Sequence, residues 1–388
     1  MSARVVVIGG GVGVEHAVSL ASAAGVAEAL ERRGYAVDRL TIGRDGVWRS
    51  GGAGDHRAVT ARDGAASSYA GAVPSATTGA VVSPAGTAAS PAGTAVSSAG
   101  TAVLPGPAGD PRRGEPSRAQ SLAAALALIG AADAVFPAVH GPNGEDGTLA
   151  ALCELAGAPV VGSGLAAGAV GMDKHWSKLV ARHAGVRTAP GRLVGPRDLD
   201  ALTDVPTTDE PQVVKPVSSG SSHGVSLVRS EEELVAAIAL ACTVDAGAER
   251  GQGRALVEPV VRGREIDVAV LREPDGTRWA APALEIHTAG LFDTATKYDG
   301  TARFSVPAAL DAREASALER AALAMFDALG CRGVARVDFF LTEEGPVFNE
   351  INTMPGLTPA SQVPRMFAAA GTDYDELVHR LVQGALRR

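Results

Sequence analysis

The chain has 388 residues, 46% of them hydrophobic and 20% charged, with a net charge of −8. That length exceeds one ordinary core and predicts two or three domains of a globular protein. The acidic balance excludes a nucleic-acid or membrane surface as the main partner, while leaving room for a local basic pocket. No leader pattern and no apolar span of about 18 residues is found, so a cytoplasmic protein is expected. Cys153, Cys242 and Cys331 are isolated from one another and read as buried free thiols.

Val5–Ile8 is a buried-strand run, followed by Gly9-Gly10-Gly11, a helical stretch from about Glu15 to Arg33 and a strand over Tyr35–Ile42. This is the opening of a parallel α/β sheet. From about residue 51 to 116 the composition shifts to Pro, Gly, Ser, Thr and Ala, with the repeats SPAGTAA, SPAGTAV and SSAGTAV between Ser83 and Val103. Such a segment buries too little apolar surface to offset its ordering entropy, and it reads as a flexible insertion. A helix (Ser121–Ile129) and a strand (Ala134–Val139) follow, then His140 at the strand's carboxyl end, where open α/β sheets bind ligands. The tight loop Gly141–Gly147 leads into a helix over Thr148–Ala156.

A second unit begins near Val170, with a helix over Asp173–Ala184 and strands over Gln212–Lys215 and Val225–Val228. Its second helix, Ser230–Ala241, opens on Ser-Glu-Glu-Glu, a capping-box form. A third unit begins near Ala255. Strands are predicted over Ala255–Pro259, Glu265–Leu271, Trp279–Ile286, Ala335–Leu341 and Pro346–Ile351, and helices over Ala312–Leu329 and Tyr374–Arg387. The expected domains are 1–168, 169–253 and 254–388.

The glycine turn at Gly9–Glu15 lacks the third glycine of G-x-G-x-x-G, and no G-K-[ST] is found, so neither a dinucleotide fingerprint nor a P-loop is supported. The loop Pro216–Gly224 follows a strand ending in Lys215. It reads equally as a flexible hairpin or as a phosphate loop of small residues with a lysine point charge. Arg336-x-Asp338 and Glu350-x-Asn352 lie on successive strands, and i, i+2 residues share a face. If the strands pair, two carboxylates, an amide and a guanidinium converge. Hard oxygen donors of this kind suit Mg²⁺ bound with phosphates, and the arginine suits charge on a transferred phosphoryl group. A solvated strand face with a salt bridge is disfavoured, because the surrounding Val, Phe, Leu and Ile mark interior strands where unpaired acids are costly. The Thr353–Ser361 loop, turning at Pro355-Gly356, would lie beside the patch as a cradle for a carboxylate.

Together these motifs resemble the ATP-grasp superfamily, and within it the D-alanine–D-alanine ligases. The resemblance rests on Glu15-His16-x-Val18-Ser19, His140-Gly141-x-x-Gly144-Glu145-Asp146-Gly147 and Met172-Asp173-Lys174. It continues with Lys215-Pro216, Gly220-Ser221-Ser222-x-Gly224, Gly263-Arg264-Glu265, Lys297-Tyr298, Arg336-x-Asp338 and Asn349-Glu350-Ile351-Asn352-Thr353-x-Pro355-Gly356. It covers nearly the whole chain apart from the insertion. It implies a three-domain ATP-grasp fold with an N-terminal parallel α/β domain, and ATP gripped between the central and C-terminal domains. It implies ATP as the nucleotide, two Mg²⁺ ions with Mn²⁺ as the alternative, amino acid substrates and a homodimer. By the resemblance, Lys174, Lys215, Glu258, Glu265 and Lys297 bind nucleotide, with Val261 at the adenine edge. Asp338, Glu350 and Asn352 hold the metal. Glu15, backed by Ser222 and Tyr298, holds the first ammonium. Arg336 and the Gly356 backbone stabilise the tetrahedral intermediate, Ser361 holds the second carboxylate, and His140 lies near the first substrate. His16, His175 and His183 read as packing or surface residues.

The sequence departs from the family pattern at several places. The loop Phe292–Tyr298 has Thr294 and Thr296 where an aromatic-rich sequence is usual, Ser219 replaces an acid, and Ala150-Ala151 replaces Gln-Gly. Gln362 replaces a Leu or Met beside the second-substrate pocket, which changes the side chain welcome there. Tyr298 favours an amine nucleophile over a hydroxy acid. Three readings result: a housekeeping ligase making D-alanyl-D-alanine for peptidoglycan, a specialised or resistance relative joining another pair, and an inactive ATP-binding homologue. The complete Arg336, Asp338, Glu350, Asn352 set argues against the third.

Overall fold

Val5-Val6-Val7-Ile8 is an unbroken aliphatic run at 0–1% exposure, the mark of a strand covered on both faces. It is the centre of β1 (Arg4–Gly10) in a computed structural model that describes residues 2–51, 116–196, 198, 210–245, 253–287 and 303–387. The expected insertion, as residues 52–115, and the loop carrying Thr294, Lys297 and Tyr298 lie outside the described residues.

α1 (His16–Arg32) follows, then β2 (Ala36–Ile42), β3 (Trp48–Gly51), α2 (Arg118–Gly130), β4 (Ala134–Pro137) and α3 (Thr148–Leu155). The sheet order is β3-β2-β1-β4, with β1 parallel to both β2 and β4 and β3 antiparallel at the edge. α2 starts on a full capping box, Ser117 with Gln120.

α4 (Leu165–Met172) and α5 (Lys174–His183) lead to β5 (Arg192–Val194), β6 (Gln212–Pro216), β7 (Ser226–Val228), α6 (Glu231–Val244) and β8 (Ala255–Pro259). These strands form an antiparallel sheet, β5-β8-β6-β7. Ser230 caps α6 by accepting the Glu233 N–H, while the Glu233 carboxylate turns back to the Arg229 N–H instead of Ser230.

The largest sheet comes last. β9 (Arg264–Arg272), β10 (Arg278–Ala280), β11 (Leu284–His287), β12 (Arg303–Ser305), α7 (Ala312–Ala328), β13 (Val334–Thr342), β14 (Gly345–Asn352), α8 (Gln362–Ala369) and α9 (Tyr374–Leu386) complete the described elements. The order is β12-β11-β9-β13-β14, with β10 also on β9. The single strand expected over Trp279–Ile286 is two strands here. Pro282 lies in the break, has no N–H for the ladder, and ends the pairing between Ala280 and Leu284.

The N-terminal and C-terminal parts share one core. Val5, Val7, Leu30 and Phe136 pack with Met366, Phe367, Leu377 and Leu381. α1 lies along α9, and Arg32 makes two 2.7 Å bonds to Asp375. The other face of the large sheet buries Phe339 and Phe348 under Met325 and Phe326 of α7. Among the described residues, no helix is long and apolar enough to cross a membrane.

Candidate active site

The β13–β14 ladder places Arg336 opposite Asn352 and Asp338 opposite Glu350. Directly opposed residues share a face of the sheet, so the four groups expected to converge do so. On the other side β9 places Asp267 opposite Asp338. Three acids therefore cross three neighbouring strands in one row. Asp267 was not among the expected site residues; its signal is an acid alternating with Glu265 on a strand otherwise buried.

Arg336 ties this row together. Nε and Nη2 each donate to Asp338 at 2.7 Å, and Nε lies 3.3 Å from Asp267 Oδ2. Nη1 donates to Gln362 Oε1 at 2.8 Å, and Asn352 Nδ2 donates to Asp338 Oδ2 at 3.1 Å. Burial disfavours the guanidinium's charge, but Asp338 and Asp267 outweigh it, so the group is held firmly protonated.

Three lysines face the row. Asp173 caps α5 by accepting the Trp176 N–H, and it also takes an Arg254 bond at 2.7 Å. With the helix start pinned, Lys174 Nζ reaches Glu350 Oε2 at 3.1 Å and donates to the Ser219 carbonyl at 2.7 Å. Lys215, on β6, places Nζ 2.6 Å from Glu258 Oε2 and donates to Asn349 Oδ1 at 3.1 Å. Lys178, one turn beyond Lys174, meets Glu258 Oε1 at 2.6 Å. It too was missed by sequence reasoning, although the i, i+4 spacing from Lys174 puts both on one helix face.

These groups line one cavity of about 560 Å³ between the second and third sheets. Lys174, Lys215, Ser222, Glu258, Val261, Glu265, Arg336, Asp338 and Glu350 contribute to its wall, as do Lys178 and apolar Val213, Leu227 and Phe340. The Val260–Gly263 link from β8 to β9 forms one rim.

Beside the cavity lies a second group of residues. Glu15, at the start of α1, accepts a short hydrogen bond from the Ser221 hydroxyl. A Cβ at Gly141 would overlap Glu15 Oε2, and Gly141 has φ +73°, so only glycine fits comfortably there. Ser221 and Ser222 both have left-handed backbone, at φ +52° and +55°, an unusual conformation for residues with a Cβ. Sequence reasoning expects Ser222 behind Glu15; Ser221 makes the contact described here, and Ser222 lines the cavity.

His140 is buried between Ser22 Oγ at 2.8 Å from Nε2 and the Met354 carbonyl at 3.0 Å from Nδ1. Burial lowers its pKa, and these partners suit the neutral ring, with Nδ1–H donating and Nε2 accepting. Glu145 lies 3.8 Å from His140; burial, then Glu15, pushes its carboxyl up to about 8. Past Gly356, the Ser361 hydroxyl accepts the Thr358 N–H at 3.1 Å and shares a 2.7 Å bond with Thr358 Oγ1. Lys297 and Tyr298, expected over this region, lie outside the described residues.

Among the described residues, no three His, Cys, Asp or Glu side chains are gathered as a metal cage. Asp338 and Glu350 supply two carboxylates and Asn352 a neutral amide, a set that fits a hard cation completing its shell with phosphate oxygens and water. Both carboxylates already carry cationic partners, Arg336 and Lys174, as anionic oxygens facing a polar cavity should.

Comparison with known proteins adds a name to this geometry. The family model described as D-ala D-ala ligase N-terminus matches residues 4–163, and the one described as D-ala D-ala ligase C-terminus matches residues 203–383. The chain is 39% identical to the D-alanine–D-alanine ligase of Mycobacterium bovis (strain BCG / Pasteur 1173P2), over 99% of this chain and 96% of that protein. It is equally similar, at 39%, to that of Mycobacterium avium (strain 104), over 99% and 97%. Among solved structures, VanG D-Ala:D-Ser ligase from Enterococcus faecalis matches with TM-score 0.72 and 28% identity, covering 98% of this chain and 99% of that one. The D-alanine–D-alanine ligase from Coxiella burnetii matches with TM-score 0.70 and 27% identity, covering 99% and 94%. A row of acids clasped by one arginine, three lysines facing it, and full-length similarity at this level together place the chain in the D-alanine–D-alanine ligase family.

Proposed function

We propose that the chain is an ATP-dependent ligase that forms D-alanyl-D-alanine for peptidoglycan precursor synthesis. The observation carrying this reading is the single cavity in which Lys174, Lys215, Glu258 and Glu265 face Arg336, Asp338 and Glu350. The lysines form the cationic wall that a triphosphate needs, and Val261 lies on the rim as an adenine-edge contact. Asp338, Glu350 and Asn352 would hold Mg²⁺, which when bound neutralises phosphate charge; two ions, or Mn²⁺, fit the same donors. We also propose three folding units, 1–168, 169–253 and 254–388, a cytoplasmic location and a homodimer.

In this mechanism Glu15, oriented by the serine loop, holds the ammonium of the first D-alanine. A carboxylate oxygen of that amino acid attacks the γ-phosphorus, the bond to ADP breaks, and an acyl-phosphate forms. The deprotonated amine of the second D-alanine then attacks the acyl carbon, and the carbon–oxygen bond to phosphate breaks. Arg336 and the Gly356 N–H stabilise the oxyanion. Ser361 orients the second carboxylate, His140 buttresses the first-substrate pocket, and Ser222 supports Glu15; the roles of Lys297 toward nucleotide and of Tyr298 beside Glu15 rest on the family resemblance alone. Positioning and fixed charge supply most of the acceleration.

A second reading, a relative of specialised metabolism or antibiotic resistance joining a different amino acid pair, is favoured by one observation. Gln362, an amide, contacts Arg336 at the second-substrate end. ADP release with Mg-ATP and a panel of D- and L-amino acids, alone and paired, separates the two. Turnover with D-alanine alone supports the first reading, and turnover only with a mixed pair supports the second. Glu350→Gln should lower turnover by roughly 100-fold or more; a mutant with wild-type rate refutes the metal assignment.

A further inference from the structure

Lys178 has no part in the mechanism above, yet it is among the largest side chains that are almost completely buried, at 1% exposure. A buried ammonium is costly unless it is paired. Its partner, Glu258, is also buried, and each carboxylate oxygen of Glu258 has one lysine at 2.6 Å: Lys178 on Oε1 and Lys215 on Oε2. The two lysines differ in their freedom. Lys215 also has Asn349 Oδ1 at 3.1 Å, while Lys178 is given to Glu258 from the second turn of a helix whose start is pinned by Asp173.

We propose that Lys178 is a positioning residue for the nucleotide: it keeps Glu258 ionised and fixed when Lys215 leaves that carboxylate for the triphosphate. The proposal rests on the ATP-dependent reading above. A triphosphate entering the cavity competes with Glu258 for Lys215, because its oxygens carry more charge than one carboxylate. When Lys215 moves, Glu258 Oε2 becomes an acceptor open to an amino or hydroxyl donor of the nucleotide. Without Lys178, the same step would leave a buried carboxylate uncompensated, and Lys215 would be held back to serve it. Lys178 thereby frees Lys215.

The electrostatics agree with this geometry. Burial, and next the repulsion of Lys215, bring the Lys178 ammonium down to about 7, against the attraction of Glu258 and Glu350. Glu258 is pushed up by burial, but Lys215 and Lys178 outweigh this and hold it below the usual carboxylate range. The charged groups facing Lys178 are Lys215 from β6, Glu258 from β8 and Glu350 from β14, with Lys174 on its own helix. With ADP free of metal, neutralising Lys215 with phosphate removes the repulsion while Glu350 keeps its charge, so nucleotide binding raises the Lys178 pKa and takes up protons near pH 7–8. Nucleotide affinity should therefore weaken as pH rises through that window.

The test compares the full-length wild type, Lys178→Met and Lys178→Arg. Affinity for metal-free ADP is measured by calorimetry from pH 6.5 to 9, alongside KM for ATP and for D-alanine. Lys178→Met should weaken ADP binding and raise KM for ATP roughly 10- to 100-fold, leaving KM for D-alanine within about two-fold. Lys178→Arg keeps a charge that does not titrate and should flatten the pH dependence seen in the wild type. Calorimetry in two buffers of different ionisation enthalpy should show proton uptake in the wild type and none in Lys178→Arg. The proposal is overturned if Lys178→Met lowers thermal stability but leaves nucleotide affinity unchanged. If Lys178→Met does not fold, Lys178→Gln is measured in its place, and an unchanged nucleotide affinity there overturns the proposal equally. A wild type that binds ADP but joins no amino acid pair refutes the ligase reading alone, because ADP affinity is read without amino acids.

Discussion

Gln362 shows how one side chain can be read in two ways. From sequence it is a polar residue in an apolar wall; in the structure its carbonyl oxygen accepts from Arg336 Nη1. Because a guanidinium only donates, the oxygen must face Arg336, which turns the amide's own NH₂ away from it. The residue therefore helps orient the arginine and offers a donor nearby. Arg336 keeps both bonds to Asp338 without it. Gln362→Leu should thus cost about 1–2 kcal/mol of transition-state stabilisation, roughly a 5- to 30-fold loss in kcat/KM for the second amino acid. Steady-state kinetics with D-alanine and D-serine as second substrates check this. An unchanged kcat/KM and an unchanged preference would show that the contact does not matter to the reaction.

At the scale of elements, the site depends on ladders and caps. β13 and β14 align their acids only in one register, since a one-residue slip would turn Asp338 and Glu350 to opposite faces. β13 is backed by α7, whose start is a full capping box between Asp311 and Glu314. Asp311 accepts the Glu314 N–H at 2.7 Å, and Glu314 accepts the Asp311 N–H at 2.9 Å. Asp311→Ala removes one of these bonds and should destabilise the protein by about 1 kcal/mol, with turnover unchanged at 25 °C. A denaturant midpoint shifts accordingly; an equal drop in activity would mean that α7 positions the site as well as supporting it. Shorter elements leave a weaker pattern in the sequence. α8 begins at Gln362 and has Pro364 in its first turn, where a missing N–H costs no helical bond. Read in sequence, that proline hides the helix.

For the whole molecule, the cavity lies between two sheets that separate stretches of chain build, joined at the Val260–Gly263 rim. The N-terminal sheet is locked to the C-terminal helices by a shared core and by Arg32–Asp375. A ligand that bridges the cavity couples these parts and stabilises the native state by mass action. Adding ADP at about 100 times its Kd should stabilise the protein by roughly 2.7 kcal/mol. A thermal shift that grows with ADP and vanishes in Lys215→Met is expected. A shift that persists undiminished in Lys215→Met would place the nucleotide elsewhere, and an ADP-independent melting temperature would mean that ADP does not bind the native state.

The sequence by itself determined the class of chemistry and most long elements. β1 is legible because an unbroken aliphatic run has few alternatives, and the Arg336, Asp338, Glu350, Asn352 set because acids inside apolar strands need a reason. Its spacing is local, two residues on each strand, so the face they share follows from strand geometry alone. What only the tertiary structure decided is non-local. Asp267 joins the row because β9, some seventy residues earlier in the chain, pairs with β13. Lys178 matters because α5 packs it against a carboxylate from β8, and Gln362 because α8 brings its first residue to Arg336. Such contacts depend on how sheets and helices meet, and no pattern along the chain encodes a distance between them.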